Sequence, residues 1–194
     1  MKTLGVLISG RGSNLQAILD AIREGKLDAG VSVVLSNVEG APGLERARAA
    51  GVPTEVLLHK DFPSRELYDE ALVGRLRAHE VHLVCLAGFM RLLSPVFVRA
   101  FPGRILNVHP SLLPAFAGLH AQRQALEHGV KVTGATVHLV DEELDHGPIL
   151  LQRAVPVLEG DDEESLSARI LEQEHKIYPE AIALVLHGQA FPES

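Results

Sequence analysis

The sequence predicts an α/β fold of the Rossmann-like kind: a mostly parallel twisted sheet with helices on both faces, antiparallel at its C-terminal strands. Three observations carry that expectation. Short apolar runs alternate with longer helical patterns, the order of a sheet built from strand–helix–strand units. Runs such as Val81 to Ala87 are nearly continuously apolar, as strands buried on both faces require. The last two strand candidates are joined by a loop without a helix, so the chain reverses direction there.

The first run, 3–9, enters Ser9-Gly10-Arg11-Gly12-Ser13-Asn14 and then a helix over 14–25. Strand 31–36, helix 43–50 and strand 53–57 follow, then helix 64–79, strand 81–87, a short helix near 95–101 and strand 104–108. Helix 120–128 precedes strands 133–140 and 149–157, and a helix over 163–187 closes the pattern. Asp161 to Glu164 places negative charge where that helix begins, which favours a helix N-terminus. No repeat, linker or low-complexity stretch interrupts the 194 residues, so one domain is expected.

The totals narrow the class. Hydrophobic residues at 46% and charged residues at 22% are ordinary for a water-exposed globular chain. A net charge of -7 argues against a broad nucleic-acid or anionic-membrane surface, though not against a small anionic substrate. Cys85 is alone, which rules out an internal disulfide, and it lies in an apolar run as a buried thiol would. Met1 to Ile8 is too short, and too soon followed by Gly-Arg-Gly, for a signal peptide. No run approaches the roughly 20 apolar residues of a membrane span. The expected location is the cytoplasm, without membrane or nucleic-acid partners.

In such a sheet ligands bind beyond the carboxyl ends of the strands. Residues 107–114, Asn-Val-His-Pro-Ser-Leu-Leu-Pro, begin where a strand runs out into a loop. Alternation puts Asn107 and His109 on one face, an uncharged amide donor beside a group that titrates near neutrality. Pro110 and Pro114 stiffen the segment; the plainer reading is a proline-rich turn with one solvated histidine. After the first strand, glycines allow close backbone approach, and free amides at the helix start form an anion site. Ser13 and Asn14 either cap that helix or donate to a phosphate. Leu15 stands where a dinucleotide fingerprint needs a third glycine, and Ser36 and Asn37 where it favours an acid. The loop therefore suits a single phosphate, with Arg11 and Arg65 either as cations for it or as solvated surface residues.

Residues 141–148, Asp-Glu-Glu-Leu-Asp-His-Gly-Pro, link the last two strands. The run Asp141, Glu142 and Glu143 is ordinarily a solvated loop, but Gly147 and Pro148 fix the chain just after Asp145. An Asp145 close to His109 would favour the imidazolium. His109 and the Asn107 amide could then both donate to an oxygen that turns negative during attack on a carbonyl, while Asp145 takes a proton from an attacking amine. No Gly-x-Ser-x-Gly elbow is present, so nucleophilic alternatives are weak. All three asparagines, Asn14, Asn37 and Asn107, fall at or just past strand ends. His138 reads as a hydrogen-bonded core residue. His109, His120, His138 and Asp145 lack the short spacing of metal ligands, so no metal is expected.

Gly-Arg-Gly-Ser-Asn, Gly-Phe-Met-Arg, Asn-Val-His-Pro-Ser-Leu-Leu-Pro and Leu-Asp-His-Gly-Pro occur in this order, and with them the whole chain resembles the phosphoribosylglycinamide formyltransferases of purine synthesis. The resemblance implies formyl transfer from 10-formyltetrahydrofolate, as co-substrate, to the amine of glycinamide ribonucleotide. It implies that His109 and Asn107 stabilise the developing oxyanion and that Asp145 supports the histidine and relays protons. Gly12, Ser13 and Asn14 would hold the phosphate, and Glu174 the ribose hydroxyls; otherwise Glu174 is an ordinary exposed helix acid. Arg65, Met90, Arg91, Leu92, Leu93, Asn107 and Asp141 would form the folate side, although Phe89 to Leu93 also reads as core packing. On this view residues 1–100 are a phosphate-binding half and 101–194 a catalytic and folate-binding half. Ala117, Gln122 and Leu171 depart from the family pattern. Small-molecule partners and a monomer or homodimer are expected. A methionyl-tRNA formyltransferase would need a further C-terminal domain, a formyl-folate hydrolase an N-terminal one, and a nicotinamide-binding module the missing glycine and acid.

Overall fold

A computed structural model describes residues 1–190. Its sheet has seven strands: β1 (Lys2–Ile8), β2 (Ala29–Ser36), β3 (Thr54–Val56), β4 (Leu83–Leu86), β5 (Ile105–His109), β6 (Val132–Leu139) and β7 (Ile149–Pro156). Around it lie α1 (Ser13–Arg23), α2 (Pro42–Ala49), α3 (Arg65–Ala78), α4 (Pro95–Ala100), α5 (Ala121–His128) and α6 (Glu163–Leu186). Every strand and helix expected from the sequence is present, with ends shifted by a few residues. A 3₁₀ turn at His59–Asp61 was not anticipated.

The strand order is β3-β2-β1-β4-β5-β6-β7. Pairing is parallel from β3 through β5, and β6 runs antiparallel to both β5 and β7. The antiparallel part is thus larger than the final hairpin, because α5 returns the chain to the same end of the sheet instead of crossing over. The order reverses between β1 and β4, which opens the crevice where ligands of such sheets bind.

Alternation distributes the apolar side chains to two cores. Leu4, Val6, Leu83, Cys85, Leu106 and Val108 pack with α1, α2, α5 and α6. Leu7, Val33, Leu35, Val84, Leu86 and Ile105 pack with α3 and α4. Asn107 and His109 share the face of Ile105 but lie further along β5, where the apolar cover ends. Cys85 is fully buried and burial pushes its thiol above the ordinary range, so it is inert as a nucleophile. The Tyr178 hydroxyl on α6 donates to Leu86 O at 2.7 Å and lies 3.2 Å from Leu106 O, joining the last helix to the ends of β4 and β5. The acids before α6 do what their position suggests: Asp162 and Ser165 form a reciprocal capping box. Asp161 pairs with Arg169 at 2.7 Å, which holds its carboxyl below the usual range.

Candidate active site

The carboxyl end of β5 sets the first two groups. Asn107 stands opposite His138 of β6, and His109 opposite Thr136. Thr136 Oγ1 donates to Ser111 O at 2.7 Å and accepts from Leu113 N at 3.1 Å, while Gln152 Nε2 donates to Leu113 O at 2.9 Å. The segment after His109 is therefore fixed by side chains of β6 and β7 as well as by its prolines.

His109 is 5% exposed. Its Nε2 donates to Phe116 O at 2.9 Å, and its Nδ1 lies 3.5 Å from Asp145 Oδ2. Both partners are acceptors only, so a ring with a proton on each nitrogen satisfies both. Asp145 Oδ2 also accepts from Gly118 N at 2.8 Å, and its Oδ1 lies 3.9 Å from His138 Nε2. Its φ of 48° is in the left-handed region, which aspartate tolerates better than most residues. Gly147 makes that turn possible: a methyl group there would sit 1.8 Å from Leu139 O.

His138 was read from the sequence as a core residue; it is buried, yet it belongs to this cluster. Its Nδ1 donates to Leu139 O at 2.9 Å, so Nε2 carries the lone pair, and Asn107 Nδ2 lies 3.4 Å away. Burial holds its imidazole below the ordinary range in spite of Leu139 O and Asp145, consistent with a neutral ring. The Asn107 amide keeps one hydrogen on His138 and has a second to offer. A register shift between Val137 and His138 in the β6–β7 pairing accompanies this placement. The signal that could have found it is polar alternation, Thr136 and His138, within an otherwise buried strand.

At the far end of the crevice, Gly12 (φ 72°) precedes α1, and no side chain caps the helix. Ser13 and Asn14 are the first two residues of the helix, so the capping alternative falls away. Gly43 N donates to Gly10 O at 2.9 Å; a methyl group at 43 would meet Ile8 Cδ1 at 2.6 Å and Gly12 Cα at 3.0 Å. The loop is thus clamped to the start of α2. Glu174 on α6 is 5% exposed, the reverse of an ordinary exposed acid. Burial raises its carboxyl to about 7, with the Asn14 amide pulling in the other direction. Asn14 and Glu174 come from opposite halves of the chain, and the fold brings them together.

The Phe89 to Leu93 stretch lies between these ends, and Met90 N donates to Ser9 Oγ at 2.8 Å. Met90 is 69% and Leu92 55% exposed, whereas Leu93 is buried in the α3–α4 core. Arg65 Nη2 donates to Leu93 O at 2.9 Å, and the Arg91 guanidinium lies 4.7 Å from the centroid of Tyr68. Asp141 binds His146 Nδ1 and Glu143 N, each at 2.8 Å, and thereby shapes the loop that carries Asp145. Gln124 Nε2 donates to Ala117 O at 3.1 Å and Leu119 O at 2.8 Å, holding the loop that contains Ala117. Among the described residues no group of three or more His, Cys, Asp or Glu is arranged to hold a metal ion.

Comparison with known proteins bears on the family and the fold. The sequence model described as formyl transferase matches residues 2–182. Phosphoribosylglycinamide formyltransferase of Escherichia coli (strain K12) is 52% identical over 184 residues, 95% of this chain and 87% of that protein. Trifunctional purine biosynthetic protein adenosine-3 of Drosophila pseudoobscura pseudoobscura is 55% identical over 189 residues, and there the chain spans only 14% of the relative's length. The crystal structure of glycinamide ribonucleotide transformylase 1 from Symbiobacterium toebii superposes with a TM-score of 0.96 at 61% identity, covering 97% of this chain and 89% of the other.

Proposed function

The chain belongs to the formyl transferase family, and we propose that it moves the formyl group of 10-formyltetrahydrofolate to the amine of N1-(5-phospho-ribosyl)glycinamide, a step of purine biosynthesis. The observation that carries the reading is the single cluster made by Asn107, His109 and Asp145 at the carboxyl end of β5. Attack by the glycinamide amine on the formyl carbon makes a C–N bond and moves negative charge to the formyl oxygen. His109 Nε2 and the free hydrogen of Asn107 Nδ2 are the donors for that charge. Nε2 is held by Phe116 O, so oxygen capture requires that contact to be exchanged for the substrate. Asp145 keeps a proton on Nδ1 and takes the proton lost by the amine, directly or through a water. The bond from the formyl carbon to the folate nitrogen then breaks, that nitrogen recovers a proton, and formylated glycinamide ribonucleotide and tetrahydrofolate leave.

Gly12, Ser13, Asn14 and Glu174 hold the ribonucleotide in this reading. Arg65, Met90, Arg91, Leu92, the backbone at Leu93, Asn107 and Asp141 line the folate side. Exposed Met90 and Leu92 suit a flat ring; Leu93 contributes through Arg65 and its carbonyl, its side chain being in the core. No helix among the described residues is long and apolar enough to cross a membrane, and the proposed setting is cytoplasmic, as a monomer or homodimer. The test is a folate-dependent formylation assay with glycinamide ribonucleotide, water and methionyl-tRNA as competing acceptors. Turnover with the ribonucleotide alone supports the reading, and a preference for either competitor overturns it.

A further inference from the structure

Residues 89–94, between the two ends of the crevice, belong to no helix or strand. Side chains hold their backbone instead, at three points. Ser9 Oγ accepts from Met90 N at 2.8 Å, Arg65 Nη2 donates to Leu93 O at 2.9 Å, and Asp69 Oδ2 accepts from Ser94 N at 2.6 Å. The first anchor comes from the end of β1, where Ser9 Oγ in turn donates to Asn37 Oδ1 at 2.5 Å. That bond to Met90 lies in exposed surroundings, whereas the one from Asp69 to Ser94 is buried.

The other two anchors share one face of α3. Arg65, Tyr68 and Asp69 are spaced i, i+3 and i+4, so they meet the same neighbour. Tyr68 is fully buried, donates to Leu57 O at 2.9 Å, and has the Arg91 guanidinium 4.7 Å from its ring centroid. Asp69 is 2% exposed, and burying a carboxyl costs free energy that a close partner must offset. Ser94 N is that partner. Ser94 is the N-cap of α4, yet its hydroxyl does not cap the helix and is buried without a partner among the described residues. Its carbonyl accepts from Phe97 N and Val98 N, both within the turn that starts α4. The amide of Ser94 is thus tied to α3 through Asp69.

We propose that Asp69 is a positioning residue for the formyl-folate co-substrate: it touches no reactant and sets where residues 90–93 stand. The assignment deepens the functional reading above and rests on it. The exposed side chains of Met90 and Leu92 lie between the anchors at Met90 N and Ser94 N, so the backbone ties decide how they meet a flat ring. A hydrogen bond in the low-dielectric interior is electrostatically stronger than one in contact with water. The buried Asp69 tie is therefore the stiffer end of the span.

The test measures separate KM values for 10-formyltetrahydrofolate and glycinamide ribonucleotide in wild type, D69A, D69L and D69N, with calorimetric titration of tetrahydrofolate. D69A and D69L both remove the acceptor, one by truncation and one with a branched apolar shape, so either serves if the other fails to fold. Each is expected to raise the folate KM by about 10-fold, the range of one charge-assisted bond, and to weaken tetrahydrofolate binding in parallel. The ribonucleotide KM should stay within about 2-fold of wild type. D69N, whose amide oxygen still accepts from Ser94 N, should keep the folate KM within about 3-fold. A KM does not depend on the folded fraction of the sample, so lost stability alone cannot raise one and spare the other. An unchanged folate KM in D69A or D69L overturns the assignment. So do a rise in both KM values alike, and a D69N as impaired as D69A. Wild type that binds no tetrahydrofolate would overturn the functional reading itself, whereas wild type and D69A that bind it equally would remove only the role of Asp69.

Discussion

The two ends of the crevice are built from different materials. The end proposed to hold the phosphate is main chain: a left-handed Gly12, a Gly43 amide on Gly10 O, and a helix start without a side-chain cap. The end proposed for formyl transfer is side chain: His109 against Asp145, Asn107 against His138, and Thr136 and Gln152 bracing the loop that follows. The first rests on close approach of backbone, with the Asn14 and Glu174 side chains beside it, and is rigid because glycines let segments touch. The second depends on groups from three segments arriving in register, so a small displacement of one removes the function of all.

Predictions follow from that contrast, the largest first. His109→Ala or Asp145→Asn should each lower kcat by about 10³-fold, roughly 4 kcal/mol, because they act on charge that develops only in the transition state. Steady-state kinetics with circular dichroism as a fold control decides this; near-normal turnover in either variant removes the assigned role. Gly147→Ala should cost about 3–4 kcal/mol of stability, since its new methyl group meets Leu139 O at 1.8 Å. Chemical denaturation measures it, and a loss below about 1 kcal/mol would mean that the Asp145 turn is soft.

A third prediction concerns pH. The Glu174 carboxyl is raised from 4.5 to about 7 in the folded chain, so the folded state binds the extra proton. The stability this contributes is full below about pH 4.5 and is lost as pH rises through about 7, by on the order of 3 kcal/mol. Glu174→Gln should flatten that slope in thermal melts of the unliganded protein between pH 5 and 8. Identical slopes in the two proteins would place the titration elsewhere. The smallest effect belongs to Ser13→Ala, which should raise the ribonucleotide KM by about 5-fold, roughly 1 kcal/mol, and change kcat less. The reverse pattern would move Ser13 into the chemistry and blur the division between the two ends.

The same division separates what the sequence disclosed from what it withheld. Gly10-Arg11-Gly12-Ser13-Asn14 is local, so its backbone role was visible in five consecutive letters. Asn107, His109 and Asp145 were legible because strand alternation and the Gly147-Pro148 turn constrain them, and the structure brings them together. His138 was not, because its meaning comes from pairing with Asn107 across β5 and β6 and from a register shift that no short window encodes. For Glu174 the sequence left an exposed helix acid as the alternative to a ribose ligand; the side chain is buried on α6, which packs against α1.

The hydroxyl of Tyr178 reaches the last carbonyls of two adjacent strands, and Glu174 sits one turn earlier on the same helix. On the proposed reading both reactants are gauged from one ruler. The helix proposed to seat the sugar is riveted, by a single phenol, to the strand ends that would frame the reacting carbon. A shift of that rod by even an ångström would misalign donor and acceptor together, so the spacing between them is set before either arrives.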